Sequence, residues 1–377
     1  MAAFAGACSD VVLFNGGAHH WAGDAYAVNQ LKVSGVLYDG YYQKPQRLSS
    51  RILELLRLLG LIAEDGALVR ELHRAVRQFR PDFAALHYGT TALHYLRVIK
   101  RSGMRLAVVL IPNLLPDHVR SSRSRVASPL HALSGVAEQL GYRRWLRCAD
   151  AIIFASSEMR EYALHNYGPL PGRTCLLPDY LPEGWQAHGE APVQQGGSAR
   201  GERSVIFLGA PERYGPVIDS LDDQFLELAN AKLHVYSGAM SDVVCRTGFG
   251  HIYPRFSNED VFMGRLARFA SECDAALITY NVRRREERFR STFPTRFFNA
   301  LGAGIPIAIR GGIFDACERF VKHYGIGFSY DNAVHLVRQL EERERMAAYR
   351  RKANESKGQF TAEHQSGELR TFLASLK

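Results

Sequence analysis

The chain has 377 residues, 46% of them apolar and 23% charged, which excludes a disordered polymer and exceeds what one ordinary core needs. Its formal net charge is +9, and the basic excess is spread over both halves. No basic tail or stripe points to nucleic acid, whereas anionic small molecules or an anionic membrane surface fit the charge. Six scattered cysteines show no C-x-x-C spacing, so neither a zinc site nor a redox pair is expected. Met1–Cys8 lacks the charged and long apolar parts of a signal peptide, and no apolar run is long enough to cross a bilayer. The expectation is a reduced, cytoplasmic protein, attached at most peripherally to the inner face of a membrane.

Val11–Phe14 reads as the first strand and ends at Asn15, Gly16 and Gly17. A glycine pair there suits either a close ligand approach or a plain tight turn, and it is not a G-x-G-x-x-G fingerprint. Val33–Asp39 is a second candidate strand, and Arg51–Leu61 and Ala67–Phe79 have helical period. Phe83–His87 is a buried strand ending in a histidine, which is either a ligand-facing donor or base or a satisfied strand-end residue. Helix 92–101, strand 105–111, helix 130–147, strand 150–155, a Ser-capped helix ending near Tyr167 and strand 175–177 follow. Between them, 116–128 is a loop carrying Arg120, Arg123 and Arg125. It suits an acceptor phosphate, a lipid headgroup or simply solvent.

The polar, Gly-rich run 191–203 is the best linker. It divides a first domain, 1–190, from a second, 204–357, with 358–377 as a final helix that can pack back on the first domain. Strand 205–208 restarts the pattern and leads into Gly209 and a loop with Arg213, a weaker phosphate candidate. Helix 222–229, strand 232–236, a helix beginning at 258–260, an apolar helical face over 262–270 and strand 275–279 come next. Residues 281–292, NVRRREERFRST, form an arginine-rich loop. FPTRFFNALGAGIPIAI, 293–309, then packs three signals together: a helix start with Pro294 and a capping Thr295, a stop at Gly304 and Pro306, and a buried strand over 305–309. Such a short helix aims its first amides and Arg296 at a crevice that suits phosphate. Arg310, Gly311 and Gly312 lie at another strand end, followed by helix 314–323, strand 325–328, a helix capped by Asp331 or Asn332, and a last amphipathic helix over 363–376. Strands alternating with crossover-length helices imply two α/β domains with mostly parallel sheets and ligands at the C-terminal strand ends. Two such domains are expected to face an interdomain cleft, suited to a transfer between two substrates.

PTRFFNALGAGIPIAI, together with ADAIIFASSEMREYALHNYG over 149–168, PDFAALHYG and Gly16–Gly17, resembles the two-domain GT-B glycosyltransferases. The resemblance is greatest to the retaining family 4 type of polysaccharide and glycolipid biosynthesis. Arg296, Ala303, Gly304 and Pro306 fit that pattern, but Asn299 and Ser291 stand where the family has two acids that touch ribose and donor sugar. The resemblance implies a nucleoside diphosphate sugar donor, a glycan, glycolipid or small-molecule acceptor, and glycosyl transfer with retention. It casts Arg296 and Arg213 as charge-stabilising residues, His87 as a sugar-orienting one, and Gly16, Gly17, Gly209, Thr295, Arg296 and Asn299 as donor-binding. No metal or other cofactor is called for. An epimerase of the same fold and a non-catalytic binding subunit are the alternatives.

Overall fold

The computed structural model describes residues 12–15, 37–38, scattered positions within 53–77, 83–87, 95–101, 106–111, 136, 139–178, 180–187, 203–209, 218–282 and 287–376. Gly16, Gly17, Arg213, the 116–128 loop and nearly all of the 191–203 linker lie outside the described residues. The chain forms two compact units, residues 1–178 with 366–377, and residues 179–365.

In the first unit, β1 (Val12–Asn15), β2 (Leu37–Tyr38), β3 (Phe83–His87), β4 (Leu106–Ile111), β5 (Ala151–Phe154) and β6 (Thr174–Leu176) make one sheet in the order β2-β1-β3-β4-β5-β6. Every pairing is parallel. The helices α1 (Tyr95–Arg101) and α2 (Ser157–Tyr167) are among its crossovers. AIIF of β5 is buried at all four positions, as a strand covered on both faces requires. Ser156 caps α2, its hydroxyl accepting from the Met159 amide at 3.0 Å.

The second unit contains a six-stranded parallel sheet in the order β10-β9-β7-β11-β13-β14. Its strands are β7 (Ser204–Phe207), β9 (His234–Ser237), β10 (Gly250–Ile252), β11 (Ala275–Ile278), β13 (Ile307–Arg310) and β14 (Gly327–Tyr330). A separate two-stranded antiparallel ribbon pairs β8 (Ile218–Asp219) with β12 (Asn281–Val282). The helices are α3 (Asp222–Asn230), α4 (Asp242–Cys245), α5 (Asn258–Phe262), α6 (Arg265–Ser271), α7 (Glu287–Arg290), α8 (Thr295–Ala303), α9 (Asp315–Tyr324), α10 (Ala333–Glu341) and α11 (Arg343–Ser356). The last helix, α12 (Ala362–Ala374), starts in the second unit and belongs to the first from Ser366 onward. The core gathers Val205, Phe207, Phe225, Leu277, Ala308 and Tyr330 with the inner faces of α3 and α10.

Several elements differ from expectation. The run 262–270 is two helices, because Gly264 adopts φ 69° and breaks the first before the second begins. The 281–292 segment is not all loop: it holds β12 and α7. Thr295 does not cap α8. Pro294 is the cap residue, without a side-chain bond, and Thr295 is the first helical position. Gly304 does end that helix, at φ 66°, a conformation that costs an L-residue with a Cβ. The units divide ahead of the sequence linker because the chain from Tyr180 onward already packs on the second unit. Tyr180 stands edge-on to Phe298 at 5.7 Å, and the Ala187 amide bonds the Gly302 carbonyl.

Candidate functional site

The second sheet runs outward from β7 in both directions, toward β9 on one side and β11 on the other. Strand order therefore reverses between β7 and β11. In open parallel sheets the crevice beyond the strands' C-terminal ends at such a point is where ligands bind. Phe207 is the last residue of β7, and Tyr280 follows β11 by two positions. Arg296 lies between them: its guanidinium carbon is 4.0 Å from the Phe207 ring centre and 4.7 Å from that of Tyr280. Nη2 meets the Tyr280 hydroxyl at 3.4 Å, and Nη1 is buried with no hydrogen-bond partner among the described residues.

That arrangement is electrostatically unfinished. Burial pulls the guanidinium pKa down, while Tyr280 and Tyr253 pull it up. An arginine nonetheless stays charged in a protein, so two aromatic faces hold a cation that lacks a hydrogen bond on one of its nitrogens. Leaving such a donor unsatisfied costs about 1–3 kcal/mol, which an anionic ligand would recover.

The helix that carries Arg296 presents one polar face. Phe297, Phe298 and 300–303 are buried, whereas Thr295, Arg296 and Asn299 are half-buried. Positions 295 and 299, and 296 and 299, share a helix face, so these three predicted donor-binding residues come together. Among the described residues the Asn299 side-chain carboxamide makes no hydrogen bond. Just ahead of the helix, the buried Thr292 hydroxyl also lacks a partner among the described residues. The Phe297 amide bonds the Pro294 carbonyl, so the amides preceding it at the helix start are the ones that point outward.

Gly209 lies beside this site, two residues beyond β7, with φ 138°. Its amide donates to the Tyr253 hydroxyl at 2.9 Å, and its carbonyl accepts from the Gly238 amide and the Ser237 hydroxyl. Its backbone groups are thus committed, and it shapes the turn instead of offering an amide. Burial raises the Tyr253 pKa, against the lowering effects of the Gly209 bond and the nearby Arg296. Of the 281–292 arginines, Arg290 is tied through Nε and Nη2 to Asp315 of α9.

In the first sheet the order reverses between β1 and β3, and the register pairs Asn15 with His87 at the C-terminal ends. His87 therefore sits at that sheet's switch point, directly before which Gly16–Gly17 follow β1 in sequence. The walls of the Arg296 slot, Phe207 and Tyr280, were not singled out from sequence. The only available signal was an aromatic residue at or just past the end of a buried strand. Among the described residues, no cluster of three or more His, Cys, Asp or Glu could hold a metal, and no helix is long and apolar enough to cross a membrane.

No protein-family model matches the chain, and no curated protein matches it. Solved structures do. Anabaena Alr3699/HepE, determined in complex with UDP, is similar over 97% of this chain and 99% of its own, at TM-score 0.60 and 12% identity. A sucrose-phosphate synthase from Thermosynechococcus elongatus covers 82% and 78% of the two chains at TM-score 0.58 and 14% identity. A glycosyltransferase from Rickettsia africae covers 100% and 94% at TM-score 0.57 and 9% identity. At such identities the likeness establishes architecture: two parallel-sheet, Rossmann-like units, which is the GT-B fold.

Proposed function

We propose that the protein transfers a glycosyl group from a nucleoside diphosphate sugar to a hydroxyl of a glycan, glycolipid or small-molecule acceptor. The observation that carries this reading is the Arg296 guanidinium, held between Phe207 and Tyr280 at a sheet switch point with Nη1 unpartnered. A diphosphate supplies the missing acceptor. Arg296 and the first amides of α8 would offset charge growing on the departing diphosphate as the glycosidic bond breaks. Asn299 would bond a ribose hydroxyl, since a carboxamide both donates and accepts. Gly209 would shape the turn, and His87 with Gly16–Gly17 are the first unit's candidates for the sugar and phosphate. Arg213 is a further proposed phosphate contact.

Retention, and the family 4 type of polysaccharide or glycolipid synthesis, rest on the sequence resemblance. In that chemistry the leaving phosphate oxygen takes the acceptor hydroxyl proton on the same sugar face, so no pair of protein carboxylates is needed. The solved complexes of Anabaena HepE with UDP-glucose make UDP-glucose the first donor to test. The net charge and Arg120–Arg125 support an anionic membrane surface as a further partner; failure to sediment with anionic liposomes at low salt would remove it.

The test is a panel of nucleotide sugars assayed for binding by thermal shift, then for donor-dependent release of nucleoside diphosphate with added acceptors. If no nucleotide sugar binds, the reading fails. A second reading, a binding subunit without turnover, is favoured by Asn299 and the buried Ser291 in place of acids. Binding without diphosphate release across acceptors would select it.

A further inference from the structure

A second concavity opens at the C-terminal ends of β11 and β13. It has a volume of about 250 Å³, is open to solvent, and is lined by Gln224, Tyr280, Asn281, Phe289 and Arg310, with Val282 and the turn at Gly312 and Ile313 completing the wall. Tyr280 is shared with the Arg296 slot, but Arg310 comes from a different strand and forms no part of that stack.

The polar groups facing this cavity are fixed by bonds behind them. The Thr279 hydroxyl, itself bonded to Tyr330, donates to Gln224 Oε1 at 2.9 Å, which leaves the Gln224 amino group as donor. Asn281 Nδ2 donates to the Ser220 carbonyl at 2.8 Å, which leaves Oδ1 as acceptor. Among the described residues, nearby acids are engaged elsewhere. Asp315 holds Arg290, Glu318 holds the Gly312 amide and the Ser329 hydroxyl, Glu227 holds the Ala333 amide, and Asp331 meets His335. Among the described residues the Arg310 side chain has no carboxylate partner and makes no hydrogen bond, its nearest ionisable neighbour being the Tyr330 phenol. The cavity therefore offers a guanidinium, an amino donor and one carbonyl acceptor beside two aromatic rings.

We infer that this cavity is a binding site for a small polar molecule of monosaccharide size that carries one anionic group. Arg310 takes the phosphate or carboxylate, Gln224 a second oxygen, and Asn281 Oδ1 a hydroxyl of the same molecule. The ring edges of Tyr280 and Phe289 cover the ligand's apolar face. The volume lies just below the range typical of drug-sized ligands, which fits a single ring. The site does not depend on the donor reading for Arg296.

Calorimetry on the full chain with glucose 6-phosphate, glucuronate, inorganic phosphate and glucose tests it. The two anionic sugars are expected to bind, and neutral glucose to bind at least tenfold more weakly. Arg310→Gln should weaken the anionic sugars by about tenfold or more, the loss of a charge-assisted bond. Ile313→Trp, which fills the cavity and keeps Arg310, should abolish binding, with far-UV circular dichroism checking the fold of both variants. Because Tyr280 is common to both, Arg296→Met should lower the affinity for UDP at least tenfold more than that for the anionic sugars, so the two sites are read separately. No binding by either anionic sugar, or equal binding by wild type and a folded Arg310→Gln variant, overturns the proposal.

Discussion

Replacing Arg296 by Met separates what this side chain does for stability from what it does for a ligand. Met keeps most of the apolar stem and packs against aromatic rings, so Phe207 and Tyr280 remain covered. The native stack contributes about 0.5–2 kcal/mol per cation–π contact. Against it stands the buried, unpartnered Nη1, which costs about 1–3 kcal/mol. These terms nearly cancel, so stability should change by no more than about 1 kcal/mol, a shift in Tm of a few degrees. The ligand effect does not cancel. A guanidinium bonded bidentately to phosphate contributes about 3 kcal/mol, so Kd for UDP should rise roughly a hundredfold. Uridine, which lacks the phosphates, should bind both proteins alike. Calorimetry with UDP, UMP and uridine, alongside urea titration, reads all of this. A folded Arg296→Met variant with unchanged UDP affinity would remove Arg296 from the site. A loss of several kcal/mol in stability would instead show a structural cation.

Arg290→Ala should change UDP affinity less than about twofold, because Arg290 is already committed to Asp315; calorimetry on the same ligand checks it. Gly304→Ala should destabilise by about 1–2 kcal/mol in urea titration, since the new Cβ meets left-handed backbone at φ 66° and stands 2.5 Å from Asn354 Oδ1. Alkaline pH should weaken the second unit. Burial pushes the Cys273 thiol and the Tyr330 phenol up to about 12, from ordinary values of 9.0 and 10.0. The folded state then holds protons that the unfolded chain releases, so this contribution is whole below about pH 9 and drains away as pH rises toward 12. Tyr330→Phe should flatten the fall between pH 10 and 11 in urea titrations; an unchanged slope would reject Tyr330 as a source.

The order of strands and helices was legible in the residues themselves. Buried parallel strands are continuous apolar runs, such as AIIF, SVIF and AALI, and they need no tertiary information to stand out. Local chemistry also placed a serine cap at Ser156, a cap at Asp331 or Asn332, of which the structure uses Asn332, and a stop at Gly304, because caps and left-handed stops act within one turn. Arg296, too, announced itself by its place at a helix start before a buried strand. What the linear pattern did not contain was which strand lies beside which. Only the folded sheet puts β7 next to β11, although Asp274, which precedes β11, lies 67 positions beyond Phe207. That adjacency makes Phe207 and Tyr280 the two walls around Arg296, and only the fold brings Asp315 to Arg290. Charge partners and ring stacks depend on distances through space, and a sequence records distance only along the chain.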